Sequence, residues 1–339
     1  MSDEISSPSS TIDPYEHLQI VANPDGTITR NGSFPNTVAT PDPANNALVL
    51  SKDVPVNKSN NVWVRIFLPH QLIKALDFSS SSSNSNRLPL IVYYHGGGFV
   101  FCSAASSMFH VFCSGMAVEL PAVVVSVEYR LAPENRLPAA YDDAMETLHW
   151  IKNTQEEWLT NYADFSCCFL MGGSAGGNIA YYAGLRAAAG VEDLTPLKIR
   201  GLILHHPYFG GVKRTESELR LANDSVLQLR VNDLLWELSL PIGADRDHEY
   251  CNPTAAGSES KMMEKIKLLG WKVLVTGFYG DPLVDRQIEL VKMMKQIGVE
   301  VEDNFGEGGS HGLEVLDPSK AKALNLIIKD FISSTKLAA

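Results

Sequence analysis

The stretch Met171-Gly172-Gly173-Ser174-Ala175-Gly176-Gly177-Asn178 constrains this chain more than any other, because its Gly-x-Ser-x-Gly core lies between a strand-like and a helix-like run. Phe169-Leu170-Met171 reads as the apolar end of a buried strand, and Ile179 opens a helix of small residues. A serine at the apex of such a turn sits on strained backbone with its hydroxyl exposed, and glycines at 172 and 176 let strand and helix pass closely. The arrangement presents a nucleophile. A plain glycine-rich turn fits the same short pattern, so its meaning depends on whether the rest of the chain supplies a base, a carboxylate and an anion-stabilising loop.

Around this turn the chain alternates continuous apolar runs with helical periodicities. Residues 90–94, 122–127, 199–204 and 271–277 are runs of the kind buried in parallel sheets, and 299–305 reads as a last strand. Residues 106–120, 138–152, 282–297 and 318–332 read as helices, the first with Phe109, Phe112, Cys113, Met116 and Ala117 on one face. Crossovers this short predict an α/β fold: a mostly parallel central sheet with helices on both faces. Residues 62–68 alternate as a strand does, and the Ser/Asn tract at 79–86 reads as a solvated loop tip.

Two segments break the rhythm. Residues 1–45 are polar and rich in Ser, Pro, Asn and Thr, with a Pro24-Asp25-Gly26 turn. The first ten residues are expected to be loose, while Tyr15, Leu18, Ile20 and Val21 give the rest something to dock with. Residues 208–265 hold one helical stretch near 231–240 and follow the C-terminal end of a strand, where a lid over a site belongs. The expected organisation is an N-terminal extension over 1–45 and a single α/β domain over 46–339.

Composition narrows the function. At 339 residues, 45% hydrophobic and 20% charged, the chain can bury a full core. A net charge of −11 without a basic cluster argues against nucleic acid or an anionic membrane as partner. The acidic start Met1-Ser2-Asp3-Glu4 lacks an apolar targeting core, and no run reaches the length of a membrane span, so a cytoplasmic protein is expected. The five cysteines are odd in number, lack a CxxC pair and sit mostly among apolar neighbours, as buried reduced thiols do.

A serine nucleophile needs a base, a carboxylate to orient that base, and donors for an oxyanion. The chain offers Ser174, Asp281 and His311 in that order, the last two each just past a strand-like run; α/β-hydrolases use this order. His95-Gly96-Gly97-Gly98-Phe99 directly follows the 90–94 run, so its backbone N–H groups are free to converge on an anion, although a flexible turn would carry the same residues. Asp281-Pro282 also reads as a helix cap. Asp285 is an alternative orienter, and His205 and His206, at the end of another strand, are alternative bases. His311 lies among Gly308, Gly309 and Gly312 with no apolar face to pack into, which leaves an exposed loop histidine as its competing reading.

These residues carry a resemblance. His95-Gly96-Gly97-Gly98-Phe99, Tyr129-Arg130-Leu131-Ala132-Pro133-Glu134, Leu137-Pro138-Ala139-Ala140-Tyr141-Asp142-Asp143, the Ser174 turn, Asp281-Pro282-Leu283 and Gly309-Ser310-His311-Gly312 together look like a plant carboxylesterase. The branch is the hormone-sensitive-lipase-like one of the α/β-hydrolases, which also contains the gibberellin receptors, and the likeness runs from about Tyr15 to the C-terminus. It implies Ser174 as nucleophile, His311 as base, Asp281 as orienter, and the N–H groups of Gly97, Gly98 and Ala175 as oxyanion hole. It also implies an N-terminal segment packed as part of a cap. One departure stands out: relatives usually carry an acidic residue before the nucleophile, and this chain has Gly173.

The function so implied is a serine carboxylesterase acting through an acyl-enzyme on short-chain acyl esters, such as an acetylated alkaloid, terpenoid or acylsugar. It would need no cofactor and no metal, and would work as a monomer or homodimer on a small-molecule ester. A lyase or cyclase using the same pocket, and a non-catalytic hormone receptor on the same fold, are the alternatives. Intact Ser174 and Gly96 to Gly98 weigh against the first, and a retained His311 against the second.

Overall fold

The structure, a computed structural model, describes residues 13–45, 47–75, 87–255 and 260–337. The serine-rich tract at 79–86 and the first ten residues lie outside these. The described chain opens with a short helix, α1 (Pro14–His17), and an antiparallel hairpin of β1 (Ile20–Ala22) and β2 (Ile28–Arg30) around the Pro24-Asp25-Gly26 turn. Two edge strands follow, β3 (Leu50–Asn57) and β4 (Val62–Leu68), then α2 (His70–Ala75). The alternating part runs β5 (Leu88–Tyr94), α3 (Ser107–Glu119), β6 (Val123–Glu128), α4 (Ala139–Asn153), α5 (Glu157–Tyr162), β7 (Ala163–Gly173), α6 (Ala175–Ala189) and β8 (Ile199–His205). After an insertion holding α7 (Glu216–Arg220), α8 (Leu229–Ser239) and α9 (Ser260–Leu268), it resumes with β9 (Lys272–Phe278), α10 (Val284–Ile297), β10 (Val301–Gly306) and α11 (Pro318–Leu337).

Eight of these strands form one sheet in the order β10-β9-β8-β7-β5-β6-β4-β3. Pairing is parallel from β10 through β6 and antiparallel at β6/β4 and β4/β3. Successive residues of a strand point to opposite faces, and the core divides accordingly. Ile91 and Tyr93 of β5 pack with Phe112 and Met116 of α3 and Ile328 of α11, whereas Leu90, Val92 and Tyr94 pack with α4 and α6 on the other face.

The register sets the C-terminal ends of the strands nearly level: Tyr94 opposes Gly172, Gly173 opposes His205, and His205 opposes Thr276. The loops that leave these ends therefore meet along one edge of the sheet. Strand order reverses at β5, which lies between β6 and β7, so the crossovers diverge there and open a crevice, the usual place for a ligand in an open α/β sheet.

Two local expectations change, and β4 is more buried than an alternating strand need be. β4 has no wet face: Arg65 is buried, donating to both Asp53 oxygens at 2.6 and 2.8 Å and to Thr37 O at 2.7 Å. Val21 does not dock but is half exposed, because the hairpin turns its neighbour Ile20 inward instead. The insertion holds α7 as well as α8. That short helix is stabilised by a reciprocal cap, in which Thr215 accepts from the Glu218 N–H and the Glu218 carboxylate from the Thr215 N–H.

Candidate active site

Each site residue is positioned by its local backbone. Ser174 has φ 55° and ψ −123°, the strained conformation of a turn apex, between the last residue of β7 and the first of α6. Its N–H donates to His205 O at 3.0 Å, and its carbonyl accepts from Tyr208 N at 3.0 Å. A β-carbon at Gly172 would lie 2.0 Å from Gly176 O, and one at Gly176 1.9 Å from Tyr94 O. Strand, turn and helix are thus in backbone contact, and no side chain fits between them.

Asp281 and His311 arrive on two loops that touch. A β-carbon on Gly280 would come within 2.0 Å of Gly309 O, so these loops close only because position 280 is glycine. Asp281 is fully buried; its Oδ1 accepts from Leu283 N at 2.8 Å, and its Oδ2 from Gln287 Nε2 at 3.0 Å and from His311 Nδ1 at 2.8 Å. Asp281 is not the cap of the helix that follows: α10 begins at Val284 with Leu283 at its N-cap, so one Asp281 oxygen closes the turn before the helix and the other faces the imidazole. His311 Nε2 lies 2.8 Å from Ser174 Oγ.

Burial alone would raise the Asp281 carboxyl, but the charge of His311 and its hydrogen bond outweigh burial and hold it below the usual carboxylate range. Burial alone would lower His311, and the Asp281 charge and hydrogen bond outweigh it in the opposite direction. The aspartate is ionised and the imidazole is more basic than an ordinary histidine.

The glycine loop after β5 is held from three sides. His95, stacked on Tyr129 with ring centroids 4.3 Å apart, receives the Tyr129 hydroxyl on its carbonyl at 2.8 Å. Gly97 O accepts from Val100 N at 3.0 Å and Phe101 N at 2.9 Å, and Ser239 of α8 donates to Gly98 O at 3.2 Å. The N–H of Ala175, first residue of α6, has no acceptor within its own helix. Gly97, Gly98 and Ser174 line one cavity of about 330 Å³.

That cavity is walled by Tyr93, Phe101, Met108, Phe109 and Phe112 on the sheet side and by Val226, Leu227, Val231 and Leu235 from the insertion, with Leu18 and Phe34 from the N-terminal segment. Among the described residues that line it, none is Asp, Glu, Lys or Arg. The N-terminal segment is clamped over it: Arg30 donates to Val100 O at 2.8 Å and Ala132 O at 2.6 Å and pairs with Glu134 at 2.7 Å.

The alternative candidates go elsewhere. Asp285 accepts from Ser217 N at 2.7 Å and ties α10 to α7. His205 and His206 face Glu314, at 2.8 and 3.6 Å from its Oε2, and the imidazole that reaches Ser174 is that of His311. Three participants escaped sequence reasoning: Gln287, Thr276, whose Oγ1 is 2.6 Å from His205 Nδ1, and Glu314. Gln287 lies one helical turn beyond the Asp281 loop, a spacing that could have flagged it; the other two carried no signal.

Comparison with known proteins agrees with this fold. A family model described as the alpha/beta hydrolase fold matches residues 91–315. The chain is 54% identical to carboxylesterase 20 of Arabidopsis thaliana over 97% of its own length and 99% of that protein's. It is 48% identical to a 3-O-acetylpapaveroxine carboxylesterase of Papaver somniferum, over 94% and 99% of the two chains. Among solved structures it is similar to a hyperthermophilic esterase from the archaeon Pyrobaculum calidifontis, with TM-score 0.67 and 25% identity over 85% of this chain and 86% of that one.

Proposed function

Because this chain belongs to the α/β-hydrolase family, among the plant carboxylesterases, and is a carboxylic ester hydrolase, we propose that Ser174, His311 and Asp281 carry out its reaction. The observation that supports this best is the unbroken chain of contacts, 2.8 Å from Ser174 Oγ to His311 Nε2 and 2.8 Å from His311 Nδ1 to Asp281 Oδ2. His311 takes the hydroxyl proton as Ser174 Oγ attacks the ester carbonyl, and Asp281 stabilises the imidazolium so formed. The N–H groups of Gly97, Gly98 and Ala175 receive the oxyanion. His311 returns its proton to the leaving alcohol, and water then repeats the sequence on the acyl-enzyme to release the acid.

The lining supports a reading of the substrate class. A cavity of about 330 Å³ without a formally charged side chain among its lining residues suits a neutral, largely apolar ester. With a relative named for an acetylated alkaloid, we read the substrate as a short-chain acyl ester of a bulky apolar alcohol, of the kind found among acylated plant metabolites. In this reading residues 1–45 and 208–265 act as a cap on the domain spanning 46–339.

The test is acid release from a panel of aryl acyl esters, with a serine-directed phosphonate as probe. Ser174→Ala is expected to lose turnover by several orders of magnitude and to lose labelling. Near-wild-type turnover by that variant would overturn the assignment.

A further inference from the structure

Beside the proposed triad lies a second buried group that the ester chemistry does not use. His205, His206 and Glu314 are each less than 5% exposed, and their ligating atoms converge. Consecutive strand residues normally point to opposite faces. Here β8 ends at His205 and His206 adopts φ 32°, a conformation non-glycine residues rarely take, which swings both rings to one side with centroids 3.9 Å apart. His206 is held there by its N–H, which donates to Thr276 O at 2.6 Å. Strain of this kind, kept next to a cavity, calls for a reason.

The hydrogen bonding of the group is incomplete. Both ring nitrogens of His206, Nε2 of His205 and Oε2 of Glu314 have no aligned hydrogen-bond partner, although His205 Nε2 and Glu314 Oε2 are only 2.8 Å apart. Thr276 Oγ1 sits 2.6 Å from His205 Nδ1 and can accept its proton, which leaves a bare lone pair on Nε2 facing a carboxylate. In that tautomer the two acceptors need a cation between them, a proton or a metal ion. An acceptor fixing the far nitrogen is also how metal-ligating histidines are oriented, and the Thr276 hydroxyl stands where that acceptor would be.

We propose that His205, His206 and Glu314 form a binding site for one divalent transition-metal ion and that its occupation suppresses ester hydrolysis. Two imidazoles and a carboxylate suit Zn²⁺ or Co²⁺ better than Mg²⁺ or Ca²⁺, which prefer oxygen alone. Two ligands about 2.0–2.1 Å from a tetrahedral ion stand roughly 3.3 Å from each other. The Glu314 Oε2 separations of 2.8 Å to His205 Nε2 and 3.6 Å to His206 Nε2 straddle that value. Both histidines line the cavity, which supplies the entry path and a position for a water ligand. The second convergent set, His206 with Asp281 and His311, competes poorly because both His311 nitrogens are already engaged. The inhibitory effect follows from the contact between the His206 and His311 rings, whose centroids are 4.5 Å apart: a dication on His206 opposes the positive charge that His311 must acquire.

The Co²⁺ measurements use the full chain and do not depend on the ester reading; the turnover measurement rests on it, through His311 as base. Co²⁺ binding is followed by its visible absorption and by calorimetry in the parent protein, His311→Gln, Glu314→Gln and His205→Gln. One Co²⁺ per chain is expected in the parent and in His311→Gln, and none in the other two. Thr276→Val, which leaves all three ligands in place, should weaken binding by about tenfold or more. Phosphonate labelling of Ser174 without metal reports that Glu314→Gln and His205→Gln keep an intact site; should either fail to fold, Thr276→Val decides. In the parent, Zn²⁺ should lower ester turnover by about tenfold or more and EDTA should restore it. Absence of Co²⁺ binding to the parent, loss with His311→Gln but not Glu314→Gln, or unchanged affinity in Thr276→Val would each overturn the proposal.

Discussion

Asp281 is the residue on which the proposed site depends most, since it faces an imidazole, a glutamine and a backbone N–H at once. Asp281→Asn keeps its shape but would favour the wrong tautomer of His311, and we expect kcat to fall by roughly 10³–10⁴ with the fold intact, by circular dichroism. Gln287→Leu is a subtler change. It removes one donor from a buried carboxylate and should cost about 1–3 kcal/mol of stability in denaturant unfolding, with a smaller loss of kcat than Asp281→Asn. Ser174, Asp281 and His311 were legible from order and loop context, because a strand end followed by a glycine-rich loop is a local pattern. Glu314 and Thr276 were not, since their roles depend on where other loops place them. The pairing of His205 with His206 turns on a positive φ that no residue type announces.

Elements bring further consequences. Helix α8 was expected from its periodicity, but not its placement: a β-carbon on Gly98 would come within 2.8 Å of Leu235, so this helix backs the glycine loop and also walls the cavity. Leu235→Ala should therefore enlarge the cavity and shift preference toward bulkier esters, at a cost of about 2–4 kcal/mol in thermal or denaturant unfolding. The β1–β2 hairpin joins the two N-terminal residues that line the cavity, Leu18 and Phe34, and is held by Arg30. Burial alone would raise the Glu134 carboxyl, but its bonds to Arg30 and to backbone N–H groups outweigh burial and lower it. A depressed carboxylate contributes stability above its unfolded pKa, and that contribution is lost as pH falls through the folded value. Limited proteolysis of the N-terminal segment should accordingly quicken at acid pH. Arg30→Ala, which also loses the bonds to Val100 O and Ala132 O, should quicken it already at neutral pH and raise KM.

At the scale of the molecule, the parallel sheet and its two helical layers were readable because strand runs and helical periodicities alternate over most of the chain. The antiparallel edge was less so: β4 alternates in sequence yet is covered on both faces, a fact that needs Asp53 and Thr37 beside Arg65. That contact also bounds where the chain can be shortened. Removing residues 1–33 should raise KM several-fold with little change in melting temperature, since it strips Leu18 from the cavity and the Arg30 contacts that hold the segment, but spares Thr37. An equal loss of Tm and of substrate binding would show that the segment belongs to the core and not to a cap.

The uncharged lining of the cavity bears on what happens after the bond is broken. Hydrolysis turns a neutral guest into a carboxylate, and no lysine or arginine stands among the lining residues to hold it, in a chain whose net charge is −11. Away from the N–H groups of the glycine loop and His311, the wall that admits the ester is thus a poor host for the acid. Such an enzyme would clear its product by desolvation cost and repulsion, and turn over with little inhibition by the acid it makes.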